Sequence, residues 1–311
     1  MTFATRTGLF RRGEVRALRG VNLAIANGET VALVGESGSG KTTLGRISLR
    51  LIKPTSGRII FAGQDITNLD DKDLHWFRRR AQIVFQDPFS TLNPYMRVGS
   101  LIEEPLLIDG VEERSARVAD VARSLEAVEL VPTASFAAKY PTQMSGGQRQ
   151  RVGIARALVR DPDYIVADEP VSMIDASSRI EILDLLRGLQ ETRGVSFLYI
   201  THDIASARHF ADRIAVMHLG AIVELGDASD VIDRPRHPYT QALIEAVPEP
   251  DPANRFRRRA VDTHETGFGS GLALGAPLHP ACPHGGLPIA EPLPLQLPDE
   301  PGHFVACHLS A

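Results

Sequence analysis

The stretch "TVALVGESGSGKTTLGRISLRL", Thr30 to Leu51, decides the architecture. Thr30–Val34 is a β-branched and apolar run ending at a glycine turn, the pattern of a buried strand. Beyond the turn, Leu44, Ile47 and Leu51 fall at helical spacing. Between strand and helix, Gly35-Glu36-Ser37-Gly38-Ser39-Gly40-Lys41-Thr42 fits the pattern G-x-x-x-x-G-K-[ST]. Its glycines let backbone N–H groups converge on phosphate oxygens, and the helix N-terminus adds partial positive charge. In such a loop Lys41 reaches the β- and γ-phosphates and the Thr42 hydroxyl ligates Mg²⁺, with Thr43 beside it.

Three more apolar runs read as buried strands: Asp163–Glu169, Ser196–Asp203 and Arg213–His218. Between the first two, Ile182, Leu185, Leu186 and Leu189 mark one helical face, and Gly194 suits its C-cap. Strands alternating with helices imply an α/β fold with a parallel sheet, whose ligands sit at the carboxyl ends of the strands. There "YIVADEP" delivers Asp168 to the Mg²⁺ side of the loop, and Glu169 stands where an attacking water can be held. Alone, an Asp-Glu pair reads as solvated loop; a phosphate loop upstream makes it chemistry.

From about Asn93 to Arg160 the chain turns to charged amphipathic helix, read as a helical insertion. After Val247–Asn254 the composition shifts, and residues 265–302, rich in Gly and Pro, read as irregular tail. The expected division is therefore 1–246, with a helical subdomain at about 93–160, and a Gly/Pro-rich extension over 247–311.

The 311 residues are 43% apolar and carry a formal net charge of −4, so no basic field points to nucleic acid. Two cysteines, Cys282 and Cys307, build no disulfide framework, and a reducing compartment is the default. No apolar run approaches the ~18 residues of a membrane-spanning helix. Five arginines and one acid in the first twenty residues resemble a mitochondrial transit peptide; a strand and loop entering the fold is the other reading.

Five elements stand in one order: "GESGSGKTT", "FQDP", "MSGGQRQR", "YIVADEP" and "ITHD". Over roughly residues 3–250 the chain resembles the ATPase subunit of an ABC transporter. That resemblance implies a RecA-like P-loop NTPase core with an antiparallel β subdomain, an ABC helical subdomain and a C-terminal extension. It implies ATP and Mg²⁺ as ligands. Gly35, Ser37, Gly38, Gly40, Lys41, Thr42 and Thr43 would hold the phosphates, and Thr42, Gln86 and Asp168 the metal. Glu169 would be the catalytic base, His202 the switch histidine and Gln86 the Q-loop glutamine that senses Mg²⁺ and the γ-phosphate. Ser145, Gly146, Gly147 and Gln148 match the signature that closes over nucleotide on the opposite chain, and Asp175 the D-loop aspartate. Where the family usually reads "SALD", this chain has Met173 and Ile174. Phe3 takes the place of the aromatic that stacks on adenine.

"VFQDPFSTLNP" and "RHPYTQALIEAVPEPDP" narrow the resemblance to oligopeptide, dipeptide and nickel importers, specifically the second, F-type ATPase of their pair. The implied partners are a second ATPase subunit (paralogue or self), two transmembrane permease subunits and an extracytoplasmic solute-binding protein. The implied location is peripheral, on the cytoplasmic face of the inner membrane. "FSTLNPYM" would line the groove for a coupling helix. A non-transport ATPase of a soluble complex, such as one degrading phosphonates, is the alternative. In the tail, Ala276 stands where relatives place the first of four cysteines and no third exists, so a four-thiolate iron–sulfur cluster is not expected. His279, His284, His303 and His308 could join the two cysteines at zinc, against a plain structural tail.

Overall fold

Antiparallel strands β1 (Thr2–Thr7) and β2 (Arg11–Arg16) precede β3 (Thr30–Val34), whose five residues are all buried. The computed structural model describes residues 1–7, 11–247 and 302–306. Helix α1 (Lys41–Ser48) opens straight from the glycine loop. It stops short of Leu51, which its spacing places on the helix, because Arg50 takes a left-handed φ of 53°. The Arg50 guanidinium holds that turn by donating to the carbonyls of Ile66 (2.9 Å) and Leu69 (3.0 Å). Leu51 is left exposed.

The chain divides into two units, one of Met1–Ala24, Ala32–Leu44 and Thr201–Ala311, the other of Ile25–Val31 and Gly45–Ile200. The second unit contains the two-residue hairpin β4 (Ile60–Phe61) and β5 (Gln64–Asp65), then α2 (His75–Arg80) running directly into β6 (Ala81–Val84). Its helical stretch holds α3 (Pro88–Thr91), α4 (Val98–Ile108), α5 (Arg114–Ala127), α6 (Thr133–Ala138) and α7 (Gly146–Leu158). Val98, Leu101, Ile102, Leu106, Leu125, Val152 and Ile154 bury their side chains here, burial that is the main stabilising contribution of such amphipathic helices. Asp109, its side chain 1% exposed, ends α4 and accepts from Arg160 at 2.9 Å, just beyond α7.

Strand β7 (Tyr164–Asp168), helix α8 (Ala176–Arg193) and strand β8 (Ser196–Thr201) complete that unit's α/β part. Strands β6, β7 and β8 are parallel neighbours, with Val84 opposite Ala167 and Asp168 opposite Ile200. Gly194 caps α8 at φ 65°, the left-handed position that glycine takes without a Cβ penalty.

In the first unit, α9 (Ile204–Phe210) leads to an antiparallel pair, β9 (Arg213–His218) and β10 (Ala221–Asp227). Helices α10 (Ala228–Asp233) and α11 (Pro238–Glu245) follow. The last described element, β11 (Phe304–Val305), pairs antiparallel with β10 at Glu224 and Leu225. The irregular tail expected over 265–302 lies, apart from Gly302, outside the described residues. The β11 strand escapes a reading by periodicity because two residues carry none.

Candidate nucleotide-binding and hydrolysis site

The phosphate loop owes its shape to positions where no side chain fits. Gly35 sits at φ 155°, and a Cβ there would lie 2.1 Å from the carbonyl oxygen of Met217. At Gly40, φ 107°, a Cβ would meet the Ala17 carbonyl oxygen at 2.6 Å. Lys41 is 6% exposed, and its ammonium donates to the carbonyls of Gly35 (2.6 Å) and Glu36 (2.7 Å). The Ser39 hydroxyl is buried without a hydrogen-bond partner among the described residues. A buried, unsatisfied hydroxyl inside a glycine cradle with a lysine at its helical end fits a phosphate group, whose oxygens would satisfy it. Gly38 takes φ 82°, while Ser37 and Glu36 face solvent.

The second unit brings two predicted residues together. Parallel pairing of β6 with β7 sets Val84 beside Ala167, so Gln86 and Glu169 leave the sheet at the same end. There Gln86 Nε2 donates to Glu169 Oε2 at 3.0 Å. Glu169 takes a left-handed φ of 49°, uncommon for a residue with a side chain. Its N–H donates to Ile200 O at 2.8 Å, and its carbonyl accepts from the Ser172 amide (3.2 Å) and hydroxyl (3.0 Å). Strain held by so many bonds at a carboxylate is the kind that gathers at functional sites.

The predicted signature residues stand on the predicted D-loop of the same unit. Ser145 caps α7 in a reciprocal box: its Oγ accepts from the Gln148 amide (3.2 Å) and its N–H donates to Gln148 Oε1 (3.1 Å). A Cβ at Gly147 would lie 3.2 Å from Ser178 Oγ, and one at Gly146 would touch Ile174 at 3.6 Å. Of the two residues that depart from "SALD", Ile174 is buried under the signature turn and Met173 is exposed. Asp175 caps α8, accepting from the Ser177 hydroxyl (2.6 Å) and the Ser178 amide (3.0 Å). Those bonds, the Ser177 hydroxyl first, hold its carboxyl down to about 2.

In the first unit His202 is exposed directly after Thr201, between that residue's bond from the Asp203 amide (3.0 Å) and the Asp203 cap of α9. Phe3 lies on β1 opposite Val15 and is half-buried. His303 meets a partner other than zinc: its Nε2 forms a 2.8 Å hydrogen bond with Glu224 Oε1, both side chains buried. The remaining zinc candidates (His279, Cys282, His284, Cys307 and His308) lie outside the described residues.

Sequence reasoning overlooked two residues with a place here. Gln150, 1% exposed, donates from α7 to the Phe85 carbonyl at 3.4 Å, beside Gln86. Tyr239 accepts the Glu36 amide of the phosphate loop at 3.0 Å. The "HPYT" run was the available signal, and it serves in the sequence only as a mark of resemblance.

A family described as "ABC transporter" matches residues 18–172, and one described as "Oligopeptide/dipeptide transporter, C-terminal region" matches 223–286. A putative peptide import ATP-binding protein of Brucella ovis is 43% identical over 297 residues, 96% of this chain and 93% of that protein. The chain belongs to the ATP-binding subunits of ABC transporters. The oligopeptide transport ATP-binding protein AppF of Bacillus subtilis is likewise 43% identical, over 99% of this chain and 94% of its own. Among solved structures, the cassette MJ0796 in a dimeric, post-hydrolysis state with ADP and Pi superposes with a TM-score of 0.64. It is 35% identical, over 73% of this chain and 96% of that one. This ABC subunit is thus an ATP-binding ATPase with the P-loop α/β fold that its sequence predicts. No helix among its described residues is long and apolar enough to cross a membrane.

Proposed function

We propose that this chain is the motor of a peptide importer, hydrolysing ATP in composite sites of a head-to-tail pair with a paralogue or a second copy. The peptide cargo is supported by the matched C-terminal region and by the names of the relatives in Brucella ovis and Bacillus subtilis. Two permease subunits and an extracytoplasmic solute-binding protein complete the machine, with this chain peripheral on the cytoplasmic face.

The amides of the loop from Gly35 to Thr43 bind the phosphates, Lys41 balances their charge and Phe3 stacks on the adenine. Thr42, Asp168 and Gln86 would hold Mg²⁺, which neutralises charge developing on the transferred phosphoryl group. Glu169 orients the attacking water and accepts its proton at a carboxylate oxygen. His202 donates to the equatorial oxygens. Ser145 and the amides at Gly146 and Gly147, with Gln148 fixing their turn, close on the partner's nucleotide, and Asp175 links the two sites.

The bond from Gln86 Nε2 to Glu169 Oε2, 3.0 Å, carries the catalytic assignment. With its N–H given to the base, the amide would have its carbonyl oxygen to offer the metal, and one side chain would then link metal, base and the segment that follows Gln86. Replacing Glu169→Gln should lower turnover ~10²–10⁴-fold while ATP binding persists. Hydrolysis near the wild-type rate in that variant would refute Glu169 as the base.

A further inference from the structure

The C-terminal region matched over 223–286 contains none of the residues assigned to hydrolysis, yet one of its side chains grips the phosphate loop. Tyr239, 3% exposed, accepts the Glu36 N–H at 3.0 Å. The carbonyl of that same Gly35–Glu36 peptide, Gly35 O, accepts from Lys41 Nζ at 2.6 Å, and the next carbonyl, Glu36 O, accepts from the same ammonium at 2.7 Å. The Gly35–Glu36 peptide is therefore held at both its polar groups, the N–H by Tyr239 and the carbonyl by the phosphate-binding lysine. At its far end the loop is pinned again, where the Gly220 amide donates to the Ser39 carbonyl at 2.9 Å.

Tyr239 is itself fixed by a buried polar chain. Its ring stacks on His218 at 4.1 Å between centroids. His237 caps α11 by accepting the Tyr239 amide on Nδ1 at 3.1 Å. The His237 amide donates to Glu224 Oε2 (3.0 Å) and the Arg236 amide to Glu224 Oε1 (2.9 Å). Glu224 is fully buried and also engages His303, beside β11. Burial pushes the Tyr239 phenol up to about 12, so the hydroxyl stays neutral at physiological pH.

We propose that Tyr239 is a positioning residue for nucleotide binding, its hydroxyl setting the Gly35–Glu36 peptide that in turn anchors Lys41 through the Gly35 carbonyl. The inference rests on reading Gly35–Thr42 as the nucleotide-binding loop. Without the hydroxyl, the Gly35–Glu36 peptide loses a restraint that nucleotide must then restore, and that ordering cost falls on affinity.

Tyr239→Phe tests it, since the ring and its contact with His218 survive. The dissociation constant of MgATP, titrated with a fluorescent ATP analogue, and KM should rise together, roughly 2- to 10-fold, with kcat retained. Hydrogen exchange gives a second readout: the Glu36 amide should lose protection while the Val31–Val34 amides keep theirs. Unchanged Kd and Glu36 exchange, or a loss of protection shared equally by β3, would overturn the positioning role. Lys41→Ala separates the two claims. Persisting nucleotide binding in that variant overturns the loop assignment; lost binding there, with wild-type affinity in Tyr239→Phe, overturns the role of Tyr239 alone.

Discussion

Single residues in this chain hold conformations that their neighbours impose. Glu169 adopts φ 49°, a left-handed backbone whose cost for a residue with a Cβ is on the order of 1 kcal/mol. Bonds to Ile200 and Ser172 hold it there, and the carboxylate emerges facing Gln86. Gly35 is the converse case, a position defined by what it lacks. A Cβ 2.1 Å from Met217 O cannot be accommodated by rotamer change, because the obstacle is backbone. Gly35→Ala should therefore rebuild the loop and weaken ATP binding at least 10-fold, at or above the upper end of what losing one neutral hydrogen bond costs. Calorimetric titration with MgATP checks this, and wild-type affinity would show that the loop tolerates the clash by moving as a body.

Among elements, α7 and α8 start side by side, each with a polar cap, Ser145 and Asp175, drawn from the proposed site. The Asp175 cap has a defined pH window. Its folded value of about 2 lies below the ordinary 3.8, so the stabilisation is present above about 3.8 and is lost as pH falls toward 2. NMR titration of the Asp175 carboxyl should find its midpoint near 2, and Ser177→Ala should move that midpoint upward. An ordinary carboxylate midpoint would contradict the cap. Elements also show what the sequence made legible. Strands β3, β7, β8 and β9 were readable because burial on both faces leaves continuous apolar runs, and α8 because its apolar face and Gly194 agree. The end of α1 was not, since Arg50 turns left-handed to reach carbonyls 16 and 19 residues away. The Gln86–Glu169 bond depends on strand register, and Tyr239 reaches a loop 203 residues earlier; no local pattern encodes either.

For the whole molecule, the proposal is that one chain holds two halves of different active sites. Its phosphate loop awaits a signature from a partner, and its own Ser145–Gln148 turn, braced on Ile174 and Ser178, serves the nucleotide of that partner. The capped N-terminus of α7 offers amides and a hydroxyl but no general base, which suits a surface that completes a site begun elsewhere. A long basic residue at Ser145 would block closure while leaving the chain's own loop intact. The most direct test is ATP turnover per chain across a dilution series, for wild-type protein and for Ser145→Arg. The account predicts that turnover per chain falls on dilution and is abolished by Ser145→Arg, while that variant still binds ATP with wild-type affinity. Turnover independent of concentration and preserved in Ser145→Arg would contradict it.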